Sequence, residues 1–250
     1  MFYQTRNERF IMRADAYLAK TGRYPSRNKA AEAIARGEVF ADGKVVKKPS
    51  QEISEGAEIT ISETAENFAS NGGFKLQKAF KDFSLDVHGL SCVDVGASNG
   101  GFTDCLLRNG ARKVFAVDVG ENQFSKELAA NAKVVVIDNF NARDLSVETL
   151  GEKVDFATCD VSFISLTYVL KPVYEVLTDG GSAIALIKPQ FECGKKQLNK
   201  NGVVTDEKAR KGAVDKISDY AKAVGFYVLG VTNAPIKRDK NVEYLIYLRK

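Results

Sequence analysis

The sequence holds one histidine, His88, and no Cys-x-x-Cys pair. Its four cysteines, Cys92, Cys105, Cys159 and Cys193, are widely scattered. A zinc site needs clustered Cys and His ligands, and Ser-His or Cys-His catalysis needs a partnered histidine. Neither is expected, and no metal is expected. His88 reads as a loop or surface residue, and the cysteines as reduced core or near-core residues of a cytoplasmic protein. The start "MFYQTRNERF" is polar and charged and lacks the apolar core of a secretory signal. No segment approaches the roughly 18 apolar residues of a membrane span, so stable membrane insertion is not expected. Nothing in the residues speaks to oligomeric state.

What is present is an ordinary globular composition: 250 residues, 44% hydrophobic and 27% charged, with a net charge of +4. That length fits one large domain, or a large one with a small one. The positive charge is uneven. From Arg13 to Lys48 there are nine Lys or Arg against four Asp or Glu, an excess above that of the whole chain. Within residues 1–62, "RADAYLAKTG" reads as a helix stopped at Gly22. "PSRNKAAEAIARG" reads as a second helix with Ser26 as N-cap, Ala30, Ala33 and Ile34 on one face, and Gly37 as the stop. Short strands follow around "VFADGKVV", turned at Asp42-Gly43, and "AEITIS". A solvated face of two amphipathic helices would carry the same charge.

The words "R-x-D-x-Y-L", "S-R-N-K-A-A-E-A-I-x-x-G-x-V", "D-G-K-V-V-K-K-P-S" and "G-A-E-I-T-I" closely resemble the S-four RNA-binding domain, over roughly residues 12 to 61. The resemblance implies that Arg13, Arg27, Lys29, Arg36 and Lys44 face a structured RNA. Such cations bind phosphates and position a protein without reading sequence.

"SETAENFASNGG" is polar and Gly-ended and reads as a linker over 63–73. From residue 74 to 250, strands and helices alternate. That is the mark of an α/β unit with a mostly parallel sheet covered on both faces. The last two strands, "FYVLGVT" and "VEYLIYL", have no helix between them and should pair antiparallel.

"VDVGASNGGFTD" follows the first strand of this unit and opens a helix. Gly96, Ala97, Ser98, Gly100 and Gly101 form a loop at a helix N-terminus, but the middle glycine of a dinucleotide fingerprint is missing. That disfavours a nicotinamide oxidoreductase and favours a nucleoside ligand without phosphates. Asp94 precedes the loop, where a carboxylate can attract a cationic amino-acid head. Asp118 ends the next strand, the place of a ribose-binding acid. Loop and acid together resemble S-adenosylmethionine-dependent methyltransferases with a Rossmann-like sheet. The resemblance implies an adenine side after the third strand, where Asn141 is the candidate. The rival reading is a glycine turn and a strand-end acid in another α/β enzyme.

Two methyltransferase chemistries lack their residues here. The fourth strand ends in "CDVSFISL", without the prolines of adenine amino-methylation, and no Pro-Cys exists for cytosine carbon methylation. Hydroxyl methylation needs neither. Asp160 and Lys188 end parallel strands, where ligands of open α/β sheets bind. Glu243 opens an antiparallel strand on the same side, and Lys75 lies on a helix able to fold over that edge. Each has a plainer reading. Lys75 fits a surface helix beside the apolar Leu76 and Phe80. Asp160 fits a helix cap, in competition with Ser162 and Ser165. Glu243 fits an exposed strand position. Phe163 and Phe191 are candidates for stacking on an extruded base, or for the core.

The set Lys75, Asp160, Lys188 and Glu243 matches the tetrad of FtsJ/RrmJ-like 2′-O-methyltransferases. With "GGFKLQKAF", "DVGASNGGFTDCLL", "DVSFISL", "LIKPQFE" and "KNGVVTD", nearly the whole chain resembles the TlyA family. The resemblance implies an S-adenosylmethionine-dependent cytidine 2′-O-methyltransferase acting on ribosomal RNA or a ribosomal subunit. The short termini resemble members that modify the large subunit. Lys188 would then serve as base or as the cation that steadies the developing alkoxide, and the acids would orient the lysines and the ribose. The alternatives are a membrane-active haemolysin, a label that family has also carried, and an RNA-binding assembly factor without catalysis.

Overall fold

The computed structural model describes residues 11–35, 37–54, 56–61, 68–235 and 241–250. Its contacts divide the chain into two units, Met1–Asn67 and Phe68–Lys250.

In the first unit, strand β1 (Ile11–Arg13) runs into helix α1 (Ala14–Lys20), and α2 (Arg27–Ala35) follows. The Ser26 hydroxyl accepts the Lys29 amide at 3.3 Å, the cap its position predicts. Strands β2 (Val39–Ala41) and β3 (Lys44–Val45) form a hairpin, and β4 (Glu52–Ser54) and β5 (Ile59–Ile61) complete the unit. Asp42 and Gly43 have φ of 49° and 72°, the left-handed pair that a tight hairpin turn requires. β1 pairs antiparallel with β4, and β2 lies between β3 and β5. Leu18, Ala30, Ala33, Ile34, Val39 and Ile53 fill a small core, including the helix face expected from spacing.

The second unit begins earlier than the linker reading placed it. Residues 63–67 of the expected linker lie outside the described residues. Phe68 is buried, packs edge-on against Phe74, and lies under the Arg108 guanidinium. The Ala69 amide donates to Asp104 at 2.8 Å. An aromatic side chain in an otherwise polar stretch explains the difference: it anchors the segment that the composition assigned to a hinge.

Helix α3 (Gly72–Phe83) leads to β6 (Ser91–Val95), α4 (Gly101–Arg108) and β7 (Lys113–Val117). Then come α5 (Lys126–Ala129), β8 (Val134–Ile137), α6 (Val147–Leu150), β9 (Val154–Cys159), α7 (Leu170–Val176) and β10 (Leu177–Ile187). The chain ends with α8 (Pro189–Glu192), α9 (Glu207–Val224), β11 (Tyr227–Asn233) and β12 (Tyr244–Arg249). The sheet order is β11-β12-β10-β9-β6-β7-β8. From β10 through β8 all pairs are parallel, and β12 pairs antiparallel with both β10 and β11. The α/β class, the parallel order and the antiparallel tail are as the sequence predicts.

The alternating strand faces build two cores. On β10, Ala183, Ala185 and Ile187 pack into one cluster with Val173, Ile217 and Ala221. Ile184 and Leu186 pack into the other, with Leu76, Phe80 and Phe102. Both faces are dry, which is why this strand is apolar without alternation. The chain order reverses between β6 and β9, and that switch point opens a crevice beyond their carboxyl ends.

Candidate active site

The crevice is a cleft of about 490 Å³, lined by the β6 loop, the ends of β7 and β9, and the segment around Asn141. Among its walls are Gly96, Ser98, Asp118, Asn141 and Asp160. Gly96 has φ of 85°, and a Cβ there would stand 2.6 Å from the Asp160 carbonyl oxygen. The loop and the β9 end therefore meet only because residue 96 is glycine. The Asp118 carboxylate accepts the Ser98 amide at 2.8 Å and the Gly120 amide at 2.7 Å, one on each oxygen. Two amide donors fix its orientation and leave lone pairs for hydroxyl donors. The Asn141 side-chain oxygen accepts the Arg143 amide at 3.1 Å and caps a short turn.

Asp94, Ala97, Gly100 and Gly101 stand behind the residues that line the cleft. Ala97 is buried, with its amide on the Val117 carbonyl. Gly100 precedes α4, and Gly101 opens it, packed on Ser70 and Gly73. Asp94 is fully buried and accepts hydrogen bonds from Thr103 at 2.7 Å and Thr158 at 2.9 Å. Burial pushes its carboxyl up to about 7, while the two hydroxyl bonds pull it down and the charge of Asp160 adds to the rise. The oxygens of Asp94 tie β6 to α4 and β9 behind the loop.

Beside the cleft the structure brings Lys75, Asp160, Lys188 and Glu243 together. The Lys75 ammonium is 2.7 Å from Glu243 and 3.9 Å from Asp160. Lys188 Nζ is 2.6 Å from Asp160 Oδ1 and donates to Ser162 Oγ at 2.7 Å. Asp160 thus stands between the two lysines and also lines the cleft. The plainer readings of these residues do not hold. Ser165, not Asp160, caps the following 3-10 turn, and Lys75 and Glu243 are paired rather than solvated. Glu243 sits just before β12, and its carbonyl accepts the Ala234 amide.

The loop from Asp160 to Leu166 carries Phe163, a non-glycine residue at φ of 66° and 88% exposed. Its ring is 5.3 Å from that of Phe191. A large apolar side chain held outward on a strained backbone at a cleft mouth is a contact surface, not core. Glu192 pins this loop. Its buried carboxylate accepts the Ser165 hydroxyl, the Leu166 amide at 2.8 Å and the Lys216 ammonium at 3.0 Å. Sequence reading missed Ser162 as a partner of Lys188, and missed Glu192. "IKPQFE" contains Glu192, but no local pattern shows that its partners lie on β9's exit loop and on α9.

Other expectations concern smaller features. Cys92, Cys105 and Cys159 are buried free thiols and Cys193 is half-buried. Burial pushes the Cys92 thiol up to about 12 and raises that of Cys159, so neither is a nucleophile. His88 is exposed. Among the described residues, no group of three or more His, Cys, Asp or Glu could hold a metal ion, and no helix is long and apolar enough to cross a membrane.

In the first unit, Arg13 and Arg27 both reach Asp15 Oδ2 at 3.0 Å, and Lys29 lies 3.7 Å from Glu32. Lys44 is exposed on the hairpin. Arg36 lies outside the described residues. The Arg13 hydrogen bond, joined by that of Arg27 against the effect of burial, holds the Asp15 carboxyl well below the usual carboxylate range.

The sequence pattern of FtsJ-like methyltransferases matches residues 68–250. The chain belongs to the FtsJ-like methyltransferase family. This FtsJ-like chain also matches the S4 domain pattern over residues 12–59. It is similar to the 16S/23S rRNA (cytidine-2′-O)-methyltransferase TlyA of Mycobacterium tuberculosis, 39% identical over 95% of this chain and 89% of that one. It is similar to Hemolysin A of Brachyspira hyodysenteriae, 38% identical over 94% of this chain and 99% of the relative. Among solved structures, a Streptococcus thermophilus protein described as a hemolysin superposes with a TM-score of 0.73 at 36% identity. That superposition covers 96% of this chain and 88% of the other.

Proposed function

We propose that this FtsJ-like methyltransferase methylates the ribose 2′-hydroxyl of cytidine in ribosomal RNA, with S-adenosylmethionine as donor. The observation that carries the reading is Asp160, which lines the cleft and also touches both lysines. The cleft fits the donor. Its volume suits a nucleoside-sized ligand. Asp118 offers oriented acceptor oxygens for ribose hydroxyls, and Ala142 and Ile164 offer apolar surface for a base. Gly96, Ser98, Asp118 and Asn141 would hold the bound molecule. When bound, S-adenosylmethionine supplies a sulfonium methyl, taken by the attacking 2′-oxygen while the carbon–sulfur electron pair stays on sulfur.

The chain's own residues prepare that oxygen. A ribose hydroxyl does not ionise alone at neutral pH, so its proton must pass to a nearby base as the new bond forms. Lys188 is the group for this, receiving the proton at Nζ or steadying the developing negative oxygen. Lys75 pairs with Glu243 beside the cleft, and Asp160, within reach of both lysines, keeps them in register with it. Phe163 and Phe191 offer a stacking face for the target base. Arg13, Arg27, Lys29, Arg36 and Lys44 bind RNA phosphates and fix the docking position. Such a substrate makes the protein cytoplasmic, and the large subunit is the expected target.

The test has two arms. Calorimetry with S-adenosylmethionine should give saturable binding that Asp118→Ala abolishes. Mapping of 2′-O-methyl positions in both ribosomal RNAs, with and without the protein, should show a cytidine that loses its methyl group. Absence of any such cytidine rejects the reading.

A further inference from the structure

Lys188 is held by two neighbours of different kinds. Asp160 Oδ1 lies 2.6 Å from Nζ and forms the ion pair. Nζ also donates to Ser162 Oγ, at 2.7 Å. The ion pair supplies charge, and the hydroxyl, a neutral acceptor, fixes a second direction of the amino group. The lysine stem adds little freedom. Lys188 is buried at the end of β10, and Pro189 starts α8 immediately after it.

We infer that Ser162 is a positioning residue of the methyl-transfer site: it aims the ε-amino group of Lys188 at the substrate hydroxyl, while Asp160 supplies charge. This rests on the reading of Lys188 given above. With one tetrahedral direction of Nζ committed to Ser162 and another facing Asp160, the remaining direction is the one open to a substrate oxygen. That holds whether the nitrogen presents a lone pair or an N–H. Ser162 also belongs to the cleft wall and precedes Phe163. The residue that aims the lysine is therefore next in sequence to the side chain that offers its ring to the target. Loop conformation, aromatic placement and lysine direction are coupled through one peptide unit. The Glu192 hydrogen bonds to Ser165 and Leu166 hold the far end of that loop.

The experiment uses the full chain and the variants Ser162→Ala, Ser162→Thr and Lys188→Ala. Single-turnover methyl transfer is measured on ribosomal RNA from cells without this protein, with S-adenosylmethionine binding followed by calorimetry. A second readout needs no catalysis: the ¹⁵N resonance of the Lys188 ε-amino group in unliganded protein, which exchanges slowly only when hydrogen-bonded. Ser162→Ala should slow single-turnover transfer at saturating donor about ten- to hundredfold, the worth of one hydrogen bond to a charged group. It should also abolish the protected ¹⁵N signal, and Ser162→Thr, which keeps the hydroxyl, should restore both. Wild-type transfer in Ser162→Ala with an inactive Lys188→Ala would overturn the role of Ser162 and leave that of Lys188 standing. Equal losses in Ser162→Ala and Ser162→Thr overturn it as well, since the hydroxyl would not be the cause. Full activity in Lys188→Ala would overturn the lysine assignment itself, and the inference with it.

Discussion

Lysine and arginine serve both units, under different conditions. In the second unit, the Lys75 and Lys188 side chains are 19% and 10% exposed, with Glu243 and Asp160 within ion-pair distance. In the first, Arg13, Arg27 and Lys29 are 51%, 57% and 42% exposed, and only Asp15 among their partners is buried. Desolvating a charge is costly, so a largely buried lysine persists only where carboxylates and hydroxyls surround it in fixed geometry. An exposed cation makes weak, salt-screened pairs and exchanges them readily for a phosphate. In the proposed function, the catalytic cations are therefore prepared before substrate arrives, and the docking cations adapt to it.

The sharpest way to break this contrast is Lys188→Ala. Transfer should fall about 10²–10⁴-fold, the usual worth of a positioned acid-base group, with S-adenosylmethionine binding retained in calorimetry. Asp160→Asn should come next. It removes the charge facing both lysines, so the melting temperature should drop together with the rate. The stability loss expected is about 1–3 kcal/mol, read by scanning calorimetry.

A third change separates buried charge from paired charge. Asp94 is buried with hydroxyl partners and, among the described residues, no paired cation, and its carboxyl is pushed up to about 7. Below about pH 4 it is protonated in both folded and unfolded states and contributes no difference. From there to about pH 7 the unfolded chain gives up the proton while the fold keeps it, so stability falls as pH rises. Asp94→Asn should flatten that slope in denaturant titrations at several pH values. Asp15 has the opposite sign. Its carboxyl is depressed, so its stabilising effect is complete above the ordinary carboxylate range and is lost only in strong acid. Asp15→Asn should lower the stability of the first unit at neutral pH, and circular dichroism melts of the full chain should resolve it.

The smallest effect is expected from a single docking cation. Lys44→Gln should weaken RNA binding uniformly across sequences. The slope of log affinity against log salt should shrink by about 0.7–0.9 if one phosphate contact is lost. The transfer rate at saturating RNA should not change.

Much of this was legible in the residues. The helix stops, the Asp42-Gly43 turn, the Ser26 cap and the antiparallel tail follow from local rules, because a cap or turn acts over a few residues. Strand β10 declared itself by an unbroken apolar run, and Lys188 by ending it. Lys75, Asp160 and Glu243 were readable only through their flanking words. What the loop motif does not show is packing: Asp94 is buried between two hydroxyls, and Gly101 lies against Ser70 and Gly73. Nor do the polar neighbours of Phe68 show that its ring is buried.

By itself the sequence determined the alternation of strands and helices, the uneven basic charge, and which chemistries lack their residues. All of these are local or additive properties. Only tertiary structure decided that Lys188 meets both Asp160 and Ser162, that Glu192 pins the loop bearing Phe163, and that Asp94 faces two hydroxyls. Those outcomes depend on which atoms from distant segments are brought within hydrogen-bond range. That is set by the packing of the whole sheet, which no spacing along one strand records.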